Sequence, residues 1–279
     1  MSLPAIRGYR SALAHLLRHR GVDLTASEEL KLLLRNFALS VPPRQLRPPP
    51  WDVNVVLTFL RSSTFEPQEE VSTRLLLIKT LFLVALATAQ RVGELQALSA
   101  SVGHAHDWSS VTLEYDPLLV SKTETPSNPV RRVFKFSALG EFVGLDPEDM
   151  LLCPVRSLRA YLARVSPSRP SVRRLFVSLS NPSRPMSKGA ISYYLRQAII
   201  LAYETIDEDI QASTRVKAHE IRAVSSSLLF RRSMSMRTLF EAAIWRTGTT
   251  FASFYLRDVA HHYLDVSGLG PVVAAMSVV

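Results

Sequence analysis

Cysteine is almost missing from this sequence: Cys153 is the only one in 279 residues. That excludes an intramolecular disulfide and any zinc site built on several thiolates. Glycine is scarce, at 10 residues, while 47% of the chain is apolar, so collagen-like, glycine-rich and disordered classes are excluded and a folded chain is expected. Long apolar runs are missing too. The strongest, Leu75 to Ala89, is interrupted by Lys79 and falls short of the roughly 20 residues a bilayer span requires. The N-terminus carries Pro4, Arg7 and Arg10 and lacks the apolar stretch and cleavage site of a signal peptide. An intracellular protein with no membrane partner is expected.

Negative charge is also short, with 24 acidic against 33 basic residues and a net charge of +9. Such an excess favours a polyanionic partner, nucleic acid or an acidic membrane surface, although a basic surface with no dedicated partner has the same composition. The distribution says more. Between Pro154 and Tyr203 stand nine Lys or Arg and no Asp or Glu; the first fifty residues hold eight basic side chains against Asp23, Glu28 and Glu29. Two separate basic regions point to a clamp. Arg7, Arg10, Arg18, Arg44 and Arg47 in the first, and Arg173, Arg174, Lys188 and Arg196 in the second, are the candidate DNA-binding residues.

The segment Val41 to Pro50 has five prolines in ten residues, which cannot continue a helix and reads as an extended linker. It divides a helical domain, residues 1–45, from a larger one, residues 46–279. The first has two helices, Pro4 to His19 and Ala26 to Leu39. That is a thin core, and it points to truncation of a larger helical domain. After the linker, periodicity predicts helices at Asp52 to Arg61, Glu69 to Ala89 (fully buried) and from Arg91. Strands are predicted at Val111 to Tyr115, Leu118 to Ser121 and Val130 to Phe136, the last two joined by a turn at Pro126 to Asn128. Helices follow at Pro154 to Val165 and Ser187 to Thr205, with a short strand at Leu175 to Ser178 between them. Three more are predicted at Ala218 to Phe230, Met236 to Trp245 and Phe251 to Tyr263. The fold class is mainly α with a small antiparallel sheet.

His219 and Arg222, three apart at a helix start, share a face and can hold one anion: the guanidinium offers a bidentate fork and the imidazole a further donor or a proton relay. Tyr255, in TTFASFYLRD, is a core aromatic or, with cations beside it, a nucleophile. Trp245 is a buried indole or a pure hydrogen-bond donor. Arg91 opens RVGEL after the buried helix, placed to grip phosphate or to close a salt bridge. Lys122, in SKTETP, is an exposed turn lysine or an ammonium that reaches a leaving oxygen. His104, His106 and Asp107 are a candidate metal set or simply a histidine-bearing loop. Ser225 to Ser227 lack a nucleophile-elbow sequence, and Glu204 to Asp209 is the one carboxylate cluster a two-metal nuclease could use, or a solvated helix end.

In order and spacing, Arg91 with Glu94, Lys122, His219 with Arg222, Trp245 and Tyr255 resemble the catalytic set of the tyrosine recombinases and phage integrases. The stretches GYRSALAHLLRHRG, ALATAQRVGEL, CPVRSLRAYL and FASFYLRDV, with the proline-rich approach to Trp51, are most similar to the recombinases of DIRS-like retrotransposons, and the likeness runs over essentially the whole chain. The resemblance implies a tyrosine recombinase catalytic fold preceded by the last two helices of a core-binding domain. It implies site-specific recombination of double-stranded DNA for transposon integration, through a 3′-phosphotyrosyl intermediate on Tyr255 and with no metal or other cofactor. Arg91, Arg222, His219 and Trp245 would stabilise the phosphorus centre, Lys122 would protonate the leaving 5′-oxygen, and Glu94 would orient Arg91. A dimer or tetramer on DNA, joined through the C-terminal tail GLGPVVAAMSVV, and a nuclear location for a gene of eukaryotic transposon origin complete the expectation. The rivals are a catalytically inactive DNA-binding protein that retains the fold and, more distantly, a helical scaffold for acidic proteins.

Overall fold

The structure, a computed structural model, describes residues 3–40, 51–119, 133–140, 147–169, 172–206, 216–233 and 276–277. The chain divides into two compact units, Met1–Gln45 and Leu46–Val279.

In the first unit, α1 (Leu3–Arg18) and α2 (Glu28–Ser40) are delimited by local chemistry. Gly21, at φ 75, takes the left-handed conformation that closes a helix, with Val22 N–H donating to Leu17 O and Gly21 N–H to Arg18 O, both at 3.1 Å. This paired bonding is the Schellman arrangement that satisfies the last helical carbonyls. Ser27 Oγ accepts from Leu30 N at 3.2 Å and starts α2, whose first turn holds Glu28 and Glu29, where negative charge meets the positive helix end. Leu34 is buried, while Tyr9, Leu13, Leu16, Leu32, Leu33 and Leu39 are exposed.

The second unit is built around one helix. In chain order its helices are α3 (Val53–Arg61), α4 (Thr73–Thr88), α5 (Val92–Gln96), α6 (Pro147–Met150), α7 (Pro154–Val165), α8 (Lys188–Glu204) and α9 (His219–Ser233). Every α4 residue from Leu76 to Thr88 is buried, as expected of a helix apolar on all sides; α7, α8 and α9 pack against it. Its first turn is fixed by Ser72, whose side chain accepts from Leu75 N. That cap places the helix start at Thr73 rather than at the predicted Glu69.

Lys79, the residue that breaks the apolar run, is fully buried and donates to Leu60 O at 2.7 Å and Glu66 Oε1 at 2.5 Å. Arg156 grips the same Glu66 with two bonds of 2.8 and 2.7 Å. An isolated buried ammonium would be strongly destabilising; this one is paired, and Glu66 ties α4 to α7 through it.

The sheet has the order β1–β2–β3–β4, with β1 (Leu98–His104), β2 (Ser110–Tyr115), β3 (Val133–Ser137) and the two-residue β4 (Met276–Ser277). All pairings are antiparallel. β1 was not predicted, and no strand forms at Leu118–Leu119, where the chain turns with Leu119 N–H donating to Asp116 O at 2.9 Å. The Leu175–Ser178 segment forms no strand, only an isolated bridge from Val177 to Pro185, with a second, Ser99 to Arg174, just before it. The predicted helices at Met236–Trp245 and Phe251–Tyr263, the turn at Pro126–Asn128 and the linker at Val41–Pro50 lie outside the described residues.

Leu98 pairs with Tyr115 and Glu114 with Val133, so β1 begins, β2 ends and β3 begins at one end of the sheet, next to α5. No helix among the described residues is long and apolar enough to cross a membrane.

Candidate active site

The site forms where α4 stops. Ala89, its C-cap, sits in the left-handed region at φ 48 and ψ 30, a conformation that costs a non-glycine residue about 1–3 kcal/mol. Arg222 Nη1 donates to the Ala89 carbonyl at 2.6 Å. Gln90, buried, donates through Nε2 to Thr88 O at 3.1 Å and accepts from the Tyr115 hydroxyl. The turn that delivers Arg91 is therefore braced from α9 on one side and from β2 on the other.

Arg91 is the N-cap of α5, and Glu94, at the third helical position, folds back on it. This is the reciprocal spacing of a capping box, here with an arginine at the cap. Glu94 Oε2 accepts from Arg91 N at 2.7 Å and Oε1 from Arg91 Nη1 at 2.5 Å. Arg222 Nη1 reaches Glu94 Oε2 at 3.3 Å. One carboxylate, its side chain 10% exposed, thus holds two guanidinium groups; that of Arg222 is 2% exposed and that of Arg91 31%. The exposure difference separates their tasks. Arg222 is an internal strut as well as a cation, and Arg91 presents its charge outward.

Arg222 lies on α9, which is clamped to the last turn of α4 by a second bond one turn on, Ser225 Oγ to Leu86 O at 2.5 Å. Ser226 and Ser227 donate to Arg222 O and Ala223 O at 2.7 Å. All three serines are buried with hydroxyls committed to main-chain carbonyls, so none is placed as a nucleophile. Glu220 Oε2 accepts from Lys217 N at 3.1 Å and fixes the start of α9. His219, its first residue, is exposed, one turn from Arg222.

Lys188 adds a third cation. It opens α8 after Ser187, whose side chain accepts from Ala190 N, and its Nζ lies 3.7 Å from where a Cβ on Gly93 would stand. The lysine side chain therefore lies alongside α5, at ordinary van der Waals distance from that position.

Tyr115 and Gln90 were not singled out in the sequence. Tyr115 reads there as an ordinary strand aromatic, and only the pairing of β1 with β2 shows that its hydroxyl meets the residue before Arg91. Burial, and then the Glu94 carboxylate, push the Tyr115 phenol well above its usual pKa, which keeps it protonated and unfit as a nucleophile. The structure brings together Arg91, Glu94, Arg222 and Lys188. Lys122, Trp245, Tyr255, Arg44 and Arg47 lie outside the described residues.

The remaining basic residues divide by role. Arg7, Arg18, Arg173 and Arg196 are exposed and Arg10 partly so. Arg156 is bound to Glu66, Arg164 to the carbonyls of Val71, Gln68 and Glu69, and Arg169 to Leu175 O at 2.7 Å. All three are tied to acceptors of the fold, a distinction the charge count alone does not make. His104 stacks on Trp108 at 3.9 Å between centroids, and among the described residues no group of three or more His, Cys, Asp or Glu could hold a metal ion.

Compared with models of known protein families and with curated proteins, the chain matches none.

Proposed function

We propose that the protein is a DNA strand-transferase of the tyrosine recombinase class, with the recombinase fold in residues 46–279 and a helical DNA-binding unit before it. The observation that carries this reading is the Glu94 carboxylate joining Arg91 to Arg222, in a helix-end cluster with Lys188 alongside. Among the described residues three cations gather about one carboxylate, a positive setting of the kind that receives a phosphodiester and stabilises the more negative pentacoordinate state it passes through.

In this reading the Tyr255 phenol attacks phosphorus. The new Tyr Oη–P bond forms as the P–O5′ bond breaks, the phenolic proton leaves to a base, for which His219 is the candidate, and the Lys122 ammonium donates a proton to the departing 5′-oxygen. Arg91 and Arg222 hold the nonbridging oxygens and Trp245 adds an indole donor. The reverse attack by a 5′-hydroxyl of a partner strand restores the diester and exchanges strands, so no nucleotide cofactor is consumed.

The test is covalent capture on a pool of nicked duplexes with randomised sequence around the nick, where loss of the short leaving strand traps the adduct. A denaturation-resistant protein–DNA species formed by the wild-type chain and absent from Tyr255→Phe supports the reading. Duplex binding with no adduct in either would instead make this an inactive DNA-binding relative.

A further inference from the structure

We propose that Asp116 is a positioning residue that organises Arg173 and Arg174 into a second phosphate seat, for a diester other than the one cleaved. The proposal rests on the recombinase reading and adds a DNA contact to it.

Asp116 directly follows β2 and is held on three sides. Its N–H donates to Ala97 O at 2.8 Å and its carbonyl accepts from Leu119 N at 2.9 Å, while Oδ1 accepts from Leu118 N at 2.8 Å. Its side chain is 5% exposed. The remaining oxygen, Oδ2, faces two guanidinium groups, Arg174 Nε at 3.7 Å and Arg173 Nε at 3.9 Å. Both arginines belong to a segment laid along β1, with Ala100 N donating to Arg173 O and Leu175 N to Leu98 O, each at 2.8 Å. Consecutive residues of an extended segment point to opposite faces, so two arginines in a row ordinarily diverge. A carboxylate at the segment's edge draws both Nε groups toward one point.

The pairing is made at Nε, away from the terminal fork. Arg173 is 67% exposed, and Arg174 Nη1 is buried with no acceptor among the described residues. A guanidinium that carries an N–H without an acceptor gains a bond from a phosphate oxygen when its side chain, 25% exposed, turns that N–H outward. Two guanidinium groups against one carboxylate keep a formal positive charge there. The seat adjoins the cluster already described: Ala97, which receives the Asp116 N–H, is the C-cap of α5, and Tyr115 beside Asp116 binds Gln90.

The sign of one substitution separates positioning from bulk charge. Asp116→Asn keeps an oxygen for Leu118 N and raises net charge by one, so bulk electrostatics predicts tighter DNA binding. Positioning predicts weaker binding, by about 10-fold, the scale of one charge-assisted contact, and a salt dependence shallower by about one phosphate contact. Fluorescence anisotropy of the full chain with a labelled duplex at several salt concentrations reads both quantities. Asp116→Glu should recover part of the loss, and Asp116→Asn should cost little in an Arg173→Gln/Arg174→Gln background. Unchanged or tighter binding by Asp116→Asn, or an equal loss in that background, overturns the proposal. Should Asp116→Asn melt at the assay temperature, Arg174→Gln and Arg173→Gln carry the test, and wild-type affinity in both overturns it. Absence of salt-dependent duplex binding by the wild-type chain is a different outcome, which removes the recombinase reading and this seat together.

Discussion

Arg222 and Ala89 lie 133 positions apart, yet the guanidinium of one closes on the main-chain carbonyl of the other at 2.6 Å. The contact ties α9 to the point where α4 ends in a left-handed residue, and so fixes the approach to Arg91. Arg222 therefore has a structural task beside any catalytic one, and its replacement should reduce stability as well as chemistry.

Glu94→Ala should be among the most destabilising changes in the second unit. It leaves the Arg222 charge buried without its carboxylate and removes the acceptor that caps α5 at Arg91 N. A loss of about 3–5 kcal/mol, the range for breaking a buried ion pair on one side, should appear in urea denaturation. Glu94→Gln keeps an acceptor for the Arg91 N–H and should lose less. Near-native stability of Glu94→Ala would contradict the bridging role.

Tyr115→Phe deletes the donor to Gln90 and leaves a buried amide oxygen unsatisfied, at a cost of about 1–3 kcal/mol. Covalent DNA attachment should persist in this variant, because the buried Tyr115 phenol is kept protonated. Loss of the adduct from a folded Tyr115→Phe protein would move the nucleophile to the wrong tyrosine.

The Glu66 network sets a pH dependence with two limbs. Burial alone would raise the Glu66 pKa, but hydrogen bonds from Arg156 and then Lys79 outweigh it and leave it below its ordinary value. Its contribution is present above the unfolded value and is lost as pH falls through the lower folded one. Lys79 is pushed down to about 8 by burial, with Glu66 opposing. Between that value and its ordinary pKa of 10.5 the unfolded chain binds more protons than the folded one, so this group makes stability rise with pH over that window. Denaturation midpoints across the acid range should therefore fall toward low pH in the wild-type chain and flatten in the Glu66→Gln/Lys79→Met double variant. Identical acid limbs would count against the network.

How far the architecture can be read from the residues depends on where the stabilising contact comes from. Helix α4 was legible because most of its length is apolar on every side, with Lys79 the one charge inside the run, and Arg91 because it closely follows that helix, with Glu94 three residues on. β1 was not. LSASVGH has little β-branched content, and the strand exists because β2 and the Arg173–Leu175 segment hydrogen-bond it from both sides. Leu118 reads as a strand residue by composition, but the Asp116 side chain turns the chain there instead. The nine cations between Pro154 and Tyr203 read as one basic surface, yet Arg156, Arg164 and Arg169 are tied to acceptors of the fold, with partners up to 96 positions away. The resemblance implies that the tail joins protomers; in this chain Met276 and Ser277 pair with Phe136 and Lys135.

Lys122 is assigned the leaving-group proton, and sulfur chemistry isolates that task. Lys122→Ala should cleave an ordinary diester very slowly and a 5′-bridging phosphorothiolate at close to the wild-type rate, since a thiolate departs without a proton. Arg91→Ala, which loses a grip on nonbridging oxygens, should be impaired on both substrates. Equal impairment of Lys122→Ala on the two would return it to an exposed turn residue.

The chain has eight tyrosines, of which Tyr255 is the proposed nucleophile. Protein trapped on nicked duplex DNA can be digested with protease and nuclease and the modified peptide sequenced by mass spectrometry. The remnant should be a nucleotide joined through its 3′-phosphate to Tyr255, formed equally well in the presence of EDTA. A remnant on any other residue, attachment through a 5′-phosphate, or strict dependence on added magnesium would contradict that assignment.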